Sequence, residues 1–431
     1  MAEGPPRTPT AALQRALVVG SLAVGAGLVA GRADVALIGL PLLAGAWLAL
    51  SGGGRLGLPT VEASWPRIVQ QSAEFRVRVH LRSAGAELVT LRLATGEDFP
   101  HGATVAVAGG DRELTTRVTV AGRGRVVVSR PDVLALSADG LVAIGPLMGS
   151  ECATLALPAH DRVPATPLPP RPSGLVGGHR TRRPGEGAEL FDIREYQPGD
   201  RVRRIDWRVS ARRGTLHVRR TAIDADATVL LYLDSRVDVG HDASLWARPP
   251  GRDRAGRGVP GSSLDLAIRA ATSLAATHLR LGDRVGLVDF STRHRWLRPG
   301  TGRRQFIRMQ LRLAATQAAP RSAAQIPRRD RVPVGAVVVV LSPFLDDVPV
   351  DAAIDASRQG ARVLAVDCLP EPIVPDPTVE FFAEALDAVL AEQRQRCGLL
   401  RAQGVAVMGW DSEIAGAALQ RWARTARGTG R

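Results

Sequence analysis

The chain has 431 residues, enough for two or three domains with hydrophobic cores, and its 45% hydrophobic and 23% charged residues exclude wholesale disorder. The formal net charge of +14 points towards nucleic acid or anionic lipid as a partner. The sequence contains no lysine, however, so all 56 residues counted as Lys or Arg are arginines. Because such a bias is typical of a GC-rich coding background, the charge alone does not favour nucleic acid as a partner.

The residue types that are missing or scarce also exclude whole classes of chemistry. Without lysine there can be no P-loop lysine, pyridoxal Schiff base or Ser-Lys dyad. The three cysteines, Cys152, Cys368 and Cys397, lie far apart and show no CxxC spacing. They therefore predict neither a disulfide framework nor a zinc site, and they fit a reducing compartment.

Two uncharged apolar runs, residues 16–31 and 35–50, open the chain and predict a transmembrane helical hairpin. Gly27 and Gly31 form a small-xxx-small pair that would let the two helices approach closely. A cleaved signal peptide is the main alternative, although a second apolar run directly afterwards argues against it. A buried helical hairpin of a soluble protein is the other alternative.

The charges that flank the hairpin predict its orientation. Arg7 and Arg15 precede the first run, Arg55 and Arg67 follow the second, and residues 32–34 form the short turn between them. The positive-inside rule then places both ends in the cytoplasm. We therefore expect a two-pass protein of the cell (inner) membrane, with its N-terminus and soluble domains in the cytoplasm.

The rest of the chain changes pattern several times. Period-two runs split by Gly, Asp and Pro turns indicate a small antiparallel β-sandwich-like domain without catalytic groups, a spacer or docking module. We predict five parts in chain order: a tail and transmembrane hairpin (1–55), the β-sandwich-like domain (60–157), a proline-rich linker (158–178), a charged motif (179–223) and an α/β domain (224–431).

The charged motif interleaves arginines with carboxylates rather than separating them. Residues 198–200 read Pro-Gly-Asp, a turn signal, and Ile205 and Trp207 flank Asp206 at strand spacing. We expect bidentate Arg–carboxylate pairs in a partly buried network around Tyr196, Ile205 and Trp207, with a shared structural and partner-docking role. The candidate residues are Glu186, Arg194, Tyr196, Gly199, Asp200, Arg204, Asp206, Trp207 and Arg212. A solvated charged hairpin and a catalytic Asp/Arg cluster are the alternatives.

This motif resembles the signature of the bacterial domain-of-unknown-function family 58. The resemblance rests on Gly-Glu at 185–186, Arg-Glu-Tyr-Gln-Pro-Gly-Asp at 194–200, Arg-Ile-Asp-Trp at 204–207 and Ala-Arg at 211–212. The hairpin, Arg-Gly-Arg at 123–125 and Asp-Gly-Leu at 139–141 also resemble features of the family. The resemblance brings no established activity, but it implies a partnership with AAA+ ATPases of the MoxR type.

The last part alternates apolar strands with amphipathic helices, which predicts a doubly wound sheet whose binding site lies at the carboxyl ends of the strands. Ser262 opens a helix, with Asp265 placed for a capping box. The predicted strands are 229–233, 285–290, 336–341, 361–366 and 405–408, and the predicted helices start at Ser262 or cover 303–314 and 378–403.

That order resembles the von Willebrand factor A fold, whose metal-ion-dependent adhesion site reads Asp-x-Ser-x-Ser. Here the segment reads Asp234, Ser235, Arg236, Val237 and Asp238, so arginine and aspartate replace the two serines. We expect Arg236 to pair with Asp234 in a degenerate site that holds no metal, and we expect no cofactor; Mg²⁺ is the alternative.

Together these features predict a non-enzymatic, membrane-anchored protein-interaction or assembly factor that faces the cytoplasm and works with a MoxR-type AAA+ ATPase. One alternative is a hydrolase that uses the Asp/Arg cluster. The other is a protein that binds anionic lipid or nucleic acid, and it would require arginines segregated from carboxylates on the surface.

Overall fold

The structure, a computed structural model, describes residues 7–51, 56–94, 103–137, 139–164, 179–225, 228–246, 259–290, 296–318, 332–333, 335–375, 379–410, 417–419 and 422. The chain divides into two units, one of residues 1–121 and 125–156 and the other of residues 122–124 and 157–431. The predictions for Arg55 and for residues 165–178 of the linker lie outside the described residues.

Two apolar helices open the first unit, close to where the sequence predicts them. Helix α1 covers Ala11–Val29 and helix α2 covers Ala33–Leu50, and both are long and apolar enough to cross a membrane. Most of their large apolar side chains are exposed in the protein itself. A hairpin with apolar side chains pointing outwards suits a lipid environment better than water.

Glycines let the two helices approach closely. A Cβ atom added at Gly27 would lie 2.5 Å from the backbone nitrogen of Ala36, and one added at Gly39 would lie 2.6 Å from the carbonyl oxygen of Gly20. The predicted role of Gly27 is confirmed. Gly31 does not share that role, because it lies in the turn with a φ of +63° and no described atom would contact its Cβ.

The remainder of the first unit is β structure. Its strands are β1 (Arg7–Pro9), β2 (Thr60–Ser64), β3 (Ile68–Gln70), β4 (Glu74–Ala94), β5 (Ala103–Thr119), β6 (Gly124–Ser137), β7 (Val142–Leu147) and β8 (Cys152–Leu157). They form one hydrogen-bonded set of eight strands, in which β4 pairs antiparallel with β2, β5 and β6. The predicted alternation holds, since Val77, Val79 and Leu81 are buried in the core. The period-two runs at residues 75–81 and 91–93 both lie in the single long strand β4.

The second unit begins with an antiparallel ribbon and continues as an α/β sheet. The ribbon is β9 (His179–Glu195) with β10 (His217–Ala225), and helix α3 (Trp207–Arg213) lies between them. The later elements are β11 (Thr228–Leu233), α4 (Ser263–Arg280), β12 (Arg284–Asp289), β13 (Trp296–Gly300), α5 (Gly302–Ala314), β14 (Val337–Ser342), α6 (Val348–Arg358), β15 (Arg362–Asp367), α7 (Phe382–Ala402) and β16 (Ala406–Gly409).

The six-stranded sheet has the order β13-β12-β11-β14-β15-β16, and all of its pairings are parallel except that of β13 with β12. One core cluster joins a face of the sheet to α4 and α5, and a second joins the other face to α6 and α7. Every residue of β11 and β14 is buried. Burial on both faces explains why these strands read as continuous apolar runs.

Several details of the α/β prediction need correction. The antiparallel edge strand β13 and helix α6 are not among the predicted elements, and α7 begins at Phe382 rather than at residue 378. The predicted cap of α4 is present, because Ser262 Oγ accepts a bond from the Asp265 amide at 3.3 Å. The Asp265 carboxylate, however, accepts from the Gly261 amide at 3.0 Å rather than from Ser262.

The glycine contacts in the hairpin yield a testable prediction. Gly27→Leu should force the helices apart, since overpacking at such a contact costs about 1–3 kcal/mol. Cysteines at Gly20 and Leu43 report the separation, because a Cβ at Gly20 would lie 3.0 Å from Leu43 Cγ. We expect Gly27→Leu to lower the yield of that disulfide several-fold in membranes, measured by mass spectrometry. Gly25→Leu is the matched control, since its Cβ meets open space; equal yields would contradict the packing.

Candidate functional site

The charged motif is built on the pairing of β9 with β10. Asp192 lies opposite Arg220 in the ribbon, and the Arg220 guanidinium binds both carboxylate oxygens of Asp192, with Nε to Oδ1 at 2.7 Å. The fork of a guanidinium matches the two oxygens of a carboxylate, so the pair fixes the register of the two strands. Bidentate pairs are predicted in this motif, but neither Asp192 nor Arg220 is among the candidate residues.

The turn after β9 is held by a second ion pair. Arg194 Nη2 donates to Asp200 Oδ1 at 2.7 Å, and the other Asp200 oxygen accepts from the Gln197 amide at 2.8 Å. Gly199 has a φ of +105°, a conformation that side chains other than hydrogen disfavour, so the predicted Pro-Gly-Asp turn is confirmed. Half-buried Tyr196 joins the turn to the rest of the motif by donating its amide hydrogen to the Leu216 carbonyl at 2.7 Å.

Asp206 has a different role from the one predicted. Its Oδ1 accepts bonds from the amides of Arg208 and Val209, both at 3.1 Å, which makes it the N-cap of α3 rather than a strand residue. Its Oδ2 accepts from Arg219 Nε at 2.7 Å. The strand predicted through Trp207 is therefore wrong, because the carboxylate next to it caps a helix that starts at the tryptophan.

The three motif carboxylates are held in their charged form. The Arg220 side chain lowers the pKa of Asp192, whereas bonds from backbone amides, followed by the neighbouring arginines, lower the pKa values of Asp200 and Asp206. A general base near neutral pH needs a higher pKa and a free oxygen. The geometry suits these groups to structural pairing and capping.

The outer surface of the motif exposes large apolar side chains. Trp207 is 65% exposed and Val202 is 64% exposed, so Trp207 does not belong to the partly buried network that the sequence predicts, whereas Ile205 is buried. Arg203, Arg208 and Arg212 are exposed as well. Arg204 is half-buried, and the side chain of Glu186 on β9 lies outside the described residues.

A second cluster of polar side chains lies at the carboxyl ends of β11, β12 and β14. The chain order reverses at β11, because β12 lies on one side of it and β14 on the other. Ser342 Oγ donates to Asp234 Oδ2 at 2.9 Å, and Ser235 Oγ donates to Asp289 Oδ1 at 2.5 Å. Such switch points are where ligands bind in open α/β sheets.

Arg236 fills the centre of this cluster. Its Nε and Nη2 bind the two oxygens of Asp234 at 2.9 and 3.0 Å, so the predicted ion pair is confirmed. Its Nη1 and Nη2 also bind both oxygens of Asp346, at 3.0 and 2.9 Å. Sequence reasoning missed Asp346 as a partner, because 110 residues separate it from Arg236 and no local pattern connects them.

The remaining predicted residue of the degenerate site, Asp238, binds the start of α4. Its Oδ1 accepts a bond from the Leu264 amide at 3.2 Å, in the first turn of α4. Burial raises the pKa of Asp238 and also that of Asp234, where the contacts from Arg236 oppose the rise by favouring the carboxylate. Among the described residues, no three His, Cys, Asp or Glu side chains form a group that could hold a metal ion.

At the end of β15, burial raises the pKa of Asp367 to about 6, against bonds from the Leu369 amide and from Gln393. The folded chain therefore keeps this proton at pH values where the unfolded chain has lost it. The contribution of protonated Asp367 to the free energy of unfolding should therefore fall as the pH rises from about 4 to 6, by roughly 2–3 kcal/mol in total.

Asp367→Asn should remove this pH dependence, because an amide stays neutral. We expect the difference in apparent Tm between Asp367→Asn and the wild type to grow in favour of the variant between pH 4 and 6.5 and then to level off. Asp355→Asn, at an exposed position on α6, is the control and should show no such trend. A Tm difference that is independent of pH would contradict the raised pKa.

Comparison with known proteins adds relatives but no activity. The model of the family described as "Protein of unknown function DUF58" matches residues 192–244 and 252–372. Uncharacterized proteins of Mycobacterium tuberculosis (Rv1480, strain H37Rv) and Mycobacterium bovis (Mb1516) are 28% identical over 269 residues, which cover 59% of this chain and 76% of each relative. The chain thus carries a region of the DUF58 family, the family that its charged motif resembles.

Proposed function

We propose that this protein is a membrane-anchored, non-enzymatic interaction or assembly factor whose docking surface is the outer face of the charged motif. The observation that carries the proposal is the exposed Trp207, which stands among exposed arginines on a helix whose cap is fixed by an ion pair. Tryptophan and arginine are the residues most enriched in binding hot spots, and a rigid support lowers the entropy cost of binding.

The ion pairs argue for docking rather than catalysis. Asp200 uses its two carboxylate oxygens to bind one arginine and one backbone amide, Asp206 binds one arginine and two backbone amides, and the pKa values of both are lowered. A hydrolase would need one of them free to take a proton, so the geometry does not favour that alternative. We infer that the pairs support the surface and that the exposed side chains make the contacts.

We further propose that the partner is an AAA+ ATPase of the MoxR type. This step rests on the resemblance to the DUF58 family and on no contact within the chain. The two apolar helices support a two-pass anchor in the inner membrane, and the arginines on both flanks favour soluble domains in the cytoplasm. The second unit would then present the charged motif to a cytoplasmic ATPase.

We also propose that the α/β unit is a von Willebrand factor A-like domain whose adhesion site works without metal. The parallel strand order and the position of Asp234 after the central strand β11 support the likeness. The Arg236 guanidinium lies between the carboxylates of Asp234 and Asp346, where it supplies the positive charge that Mg²⁺ would otherwise bring. Residues 234–236 then keep a fixed conformation next to the interaction surface.

The docking surface can be tested by crosslinked pull-down from membranes. We expect Trp207→Ser/Arg208→Gln to reduce capture of the ATPase at least tenfold, because losing a hot-spot tryptophan typically costs 2 kcal/mol or more. The control is Trp296→Ser/Arg298→Gln, which removes the same residue types from β13, where the arginine lies 6.0 Å from the tryptophan ring centroid. Equal capture by both variants, or no ATPase with the wild type, would overturn the proposal.

The metal-free site predicts a gain of function. Arg236→Ser restores the Asp-x-Ser spacing and leaves two carboxylates without their counter-charge, so Mg²⁺ should bind the variant and raise its Tm. We expect no saturable Mg²⁺ binding to the wild type by titration calorimetry. Arg358→Ser, at an exposed position on α6, is the control and should behave as the wild type. Saturable binding to the wild type that is lost in Asp234→Ala would contradict this part of the proposal.

A further inference from the structure

Helix α5 has one buried and one exposed side of very different character. Its buried side chains, among them Met309 and Leu313, pack in the core cluster shared with α4. The exposed side, which we name the α5 face, consists of Arg304, Ile307, Arg308, Leu311 and Arg312. The first four recur at positions i, i+3, i+4 and i+7, so arginines and large aliphatic side chains form adjacent stripes along the helix.

The arginines of this helix are segregated from carboxylates. Helix α5 has four arginines and no acidic residue, whereas α4, α6 and α7 all contain acidic residues. On α7, for instance, Arg396 pairs with Glu392 at 3.3 Å. Among the described residues, no carboxylate lies within 4.0 Å of an α5 arginine. This is the segregation that binding to an anionic surface requires.

The stability of the helix does not explain where these arginines lie. Arg303 and Arg304 fall in the first turn, where the helix dipole favours negative rather than positive charge. The preceding residue, Thr301, makes no side-chain capping bond that would offset this. The exposed aliphatic side chains are equally unexplained by folding, since Ile307 is 45% exposed and Leu311 is 42% exposed.

We infer that the α5 face docks on the anionic surface of a lipid bilayer. The arginines would bind lipid phosphates, and Ile307 and Leu311 would enter the boundary between headgroups and acyl chains, as in interfacial amphipathic helices. The inference rests on the proposed membrane anchor, because a hairpin in the membrane tethers the rest of the same chain to the bilayer. At that effective concentration a face with two aliphatic side chains suffices for docking.

The composition of the face favours lipid over nucleic acid. Proteins that bind single strands combine basic grooves with aromatic side chains on which bases stack, and the α5 face contains no aromatic residue. Exposed isoleucine and leucine make no favourable contact with a sugar-phosphate backbone, but their transfer into an apolar layer lowers the free energy. Both stripes of the face therefore have a use at a bilayer surface.

The test uses the full chain reconstituted in vesicles of phosphatidylcholine, with or without phosphatidylglycerol. Because Cys152, Cys368 and Cys397 are all buried, one introduced cysteine can carry an environment-sensitive fluorophore. Ala315→Cys places the label at the exposed end of α5 without altering the face. Asp355→Cys on α6 is the control, since α5 and α6 cover opposite faces of the sheet.

We expect the label at position 315, but not the one at 355, to shift to the blue and to be quenched by spin-labelled lipid in the anionic vesicles only. High salt should reverse the change. Arg304→Gln/Arg308→Gln should lower the ratio of docked to undocked protein about 25-fold, at roughly fivefold per arginine. Arg394→Gln/Arg401→Gln removes the same charge from α7 and should have no effect.

Three outcomes would overturn the inference: no response to anionic lipid, equal responses at both labels, or a response to added RNA rather than to lipid. The last outcome would identify a nucleic acid surface instead. Two further measurements separate this failure from failure of the proposed function. Resistance to alkaline extraction reports the membrane anchor, and ATPase capture by the Arg304→Gln/Arg308→Gln variant reports the charged motif, which should be unaffected.

Discussion

The pairing of arginine with carboxylate is the interaction on which both polar sites of the second unit depend. A buried carboxylate loses its hydration, and the loss is tolerable only if donors surround it. Asp234 is buried and receives a forked guanidinium, and Asp206 receives one arginine and two backbone amides. Because the bonds of each pair are directional, the pairs fix the conformation of residues 234–236 and of the start of α3 as well as stabilising them.

The same interaction limits what each site can do. The Arg236 guanidinium binds all four carboxylate oxygens of Asp234 and Asp346, so under the proposed function the site keeps one arrangement without a metal ion. In the charged motif, the carboxylates are already occupied by arginines and amides. What is left for a partner is the outer surface with Trp207, and this is why the proposed function assigns recognition to exposed side chains rather than to the charged pairs beneath them.

The sequence predicted those features that local pattern controls. Strands β11 and β14 could be predicted because burial on both faces leaves continuous apolar runs, and the pair of Arg236 with Asp234 could be predicted because they lie only two positions apart in the sequence. Long-range contacts could not: Asp346 joins the cluster only through the folding of the sheet. Trp207 was wrongly assigned to a strand because Ile205 and Trp207 on either side of Asp206 satisfy a period of two. The helix start depends instead on bonds from the Arg208 and Val209 amides to the Asp206 carboxylate, which that pattern does not reveal.

The α5 face and the outer face of the charged motif differ in how their charges are distributed. An arginine that faces a carboxylate adds little to the field outside the protein, because the opposite charge cancels most of its potential within a Debye length. The excess of 56 arginines over 42 carboxylates must therefore act where carboxylates are absent. Helix α5 is such a place, whereas Asp192, Asp200 and Asp206 of the charged motif each face an arginine. Under the two proposals, the lipid surface therefore contacts α5, and the protein partner contacts Trp207 and the exposed arginines around it.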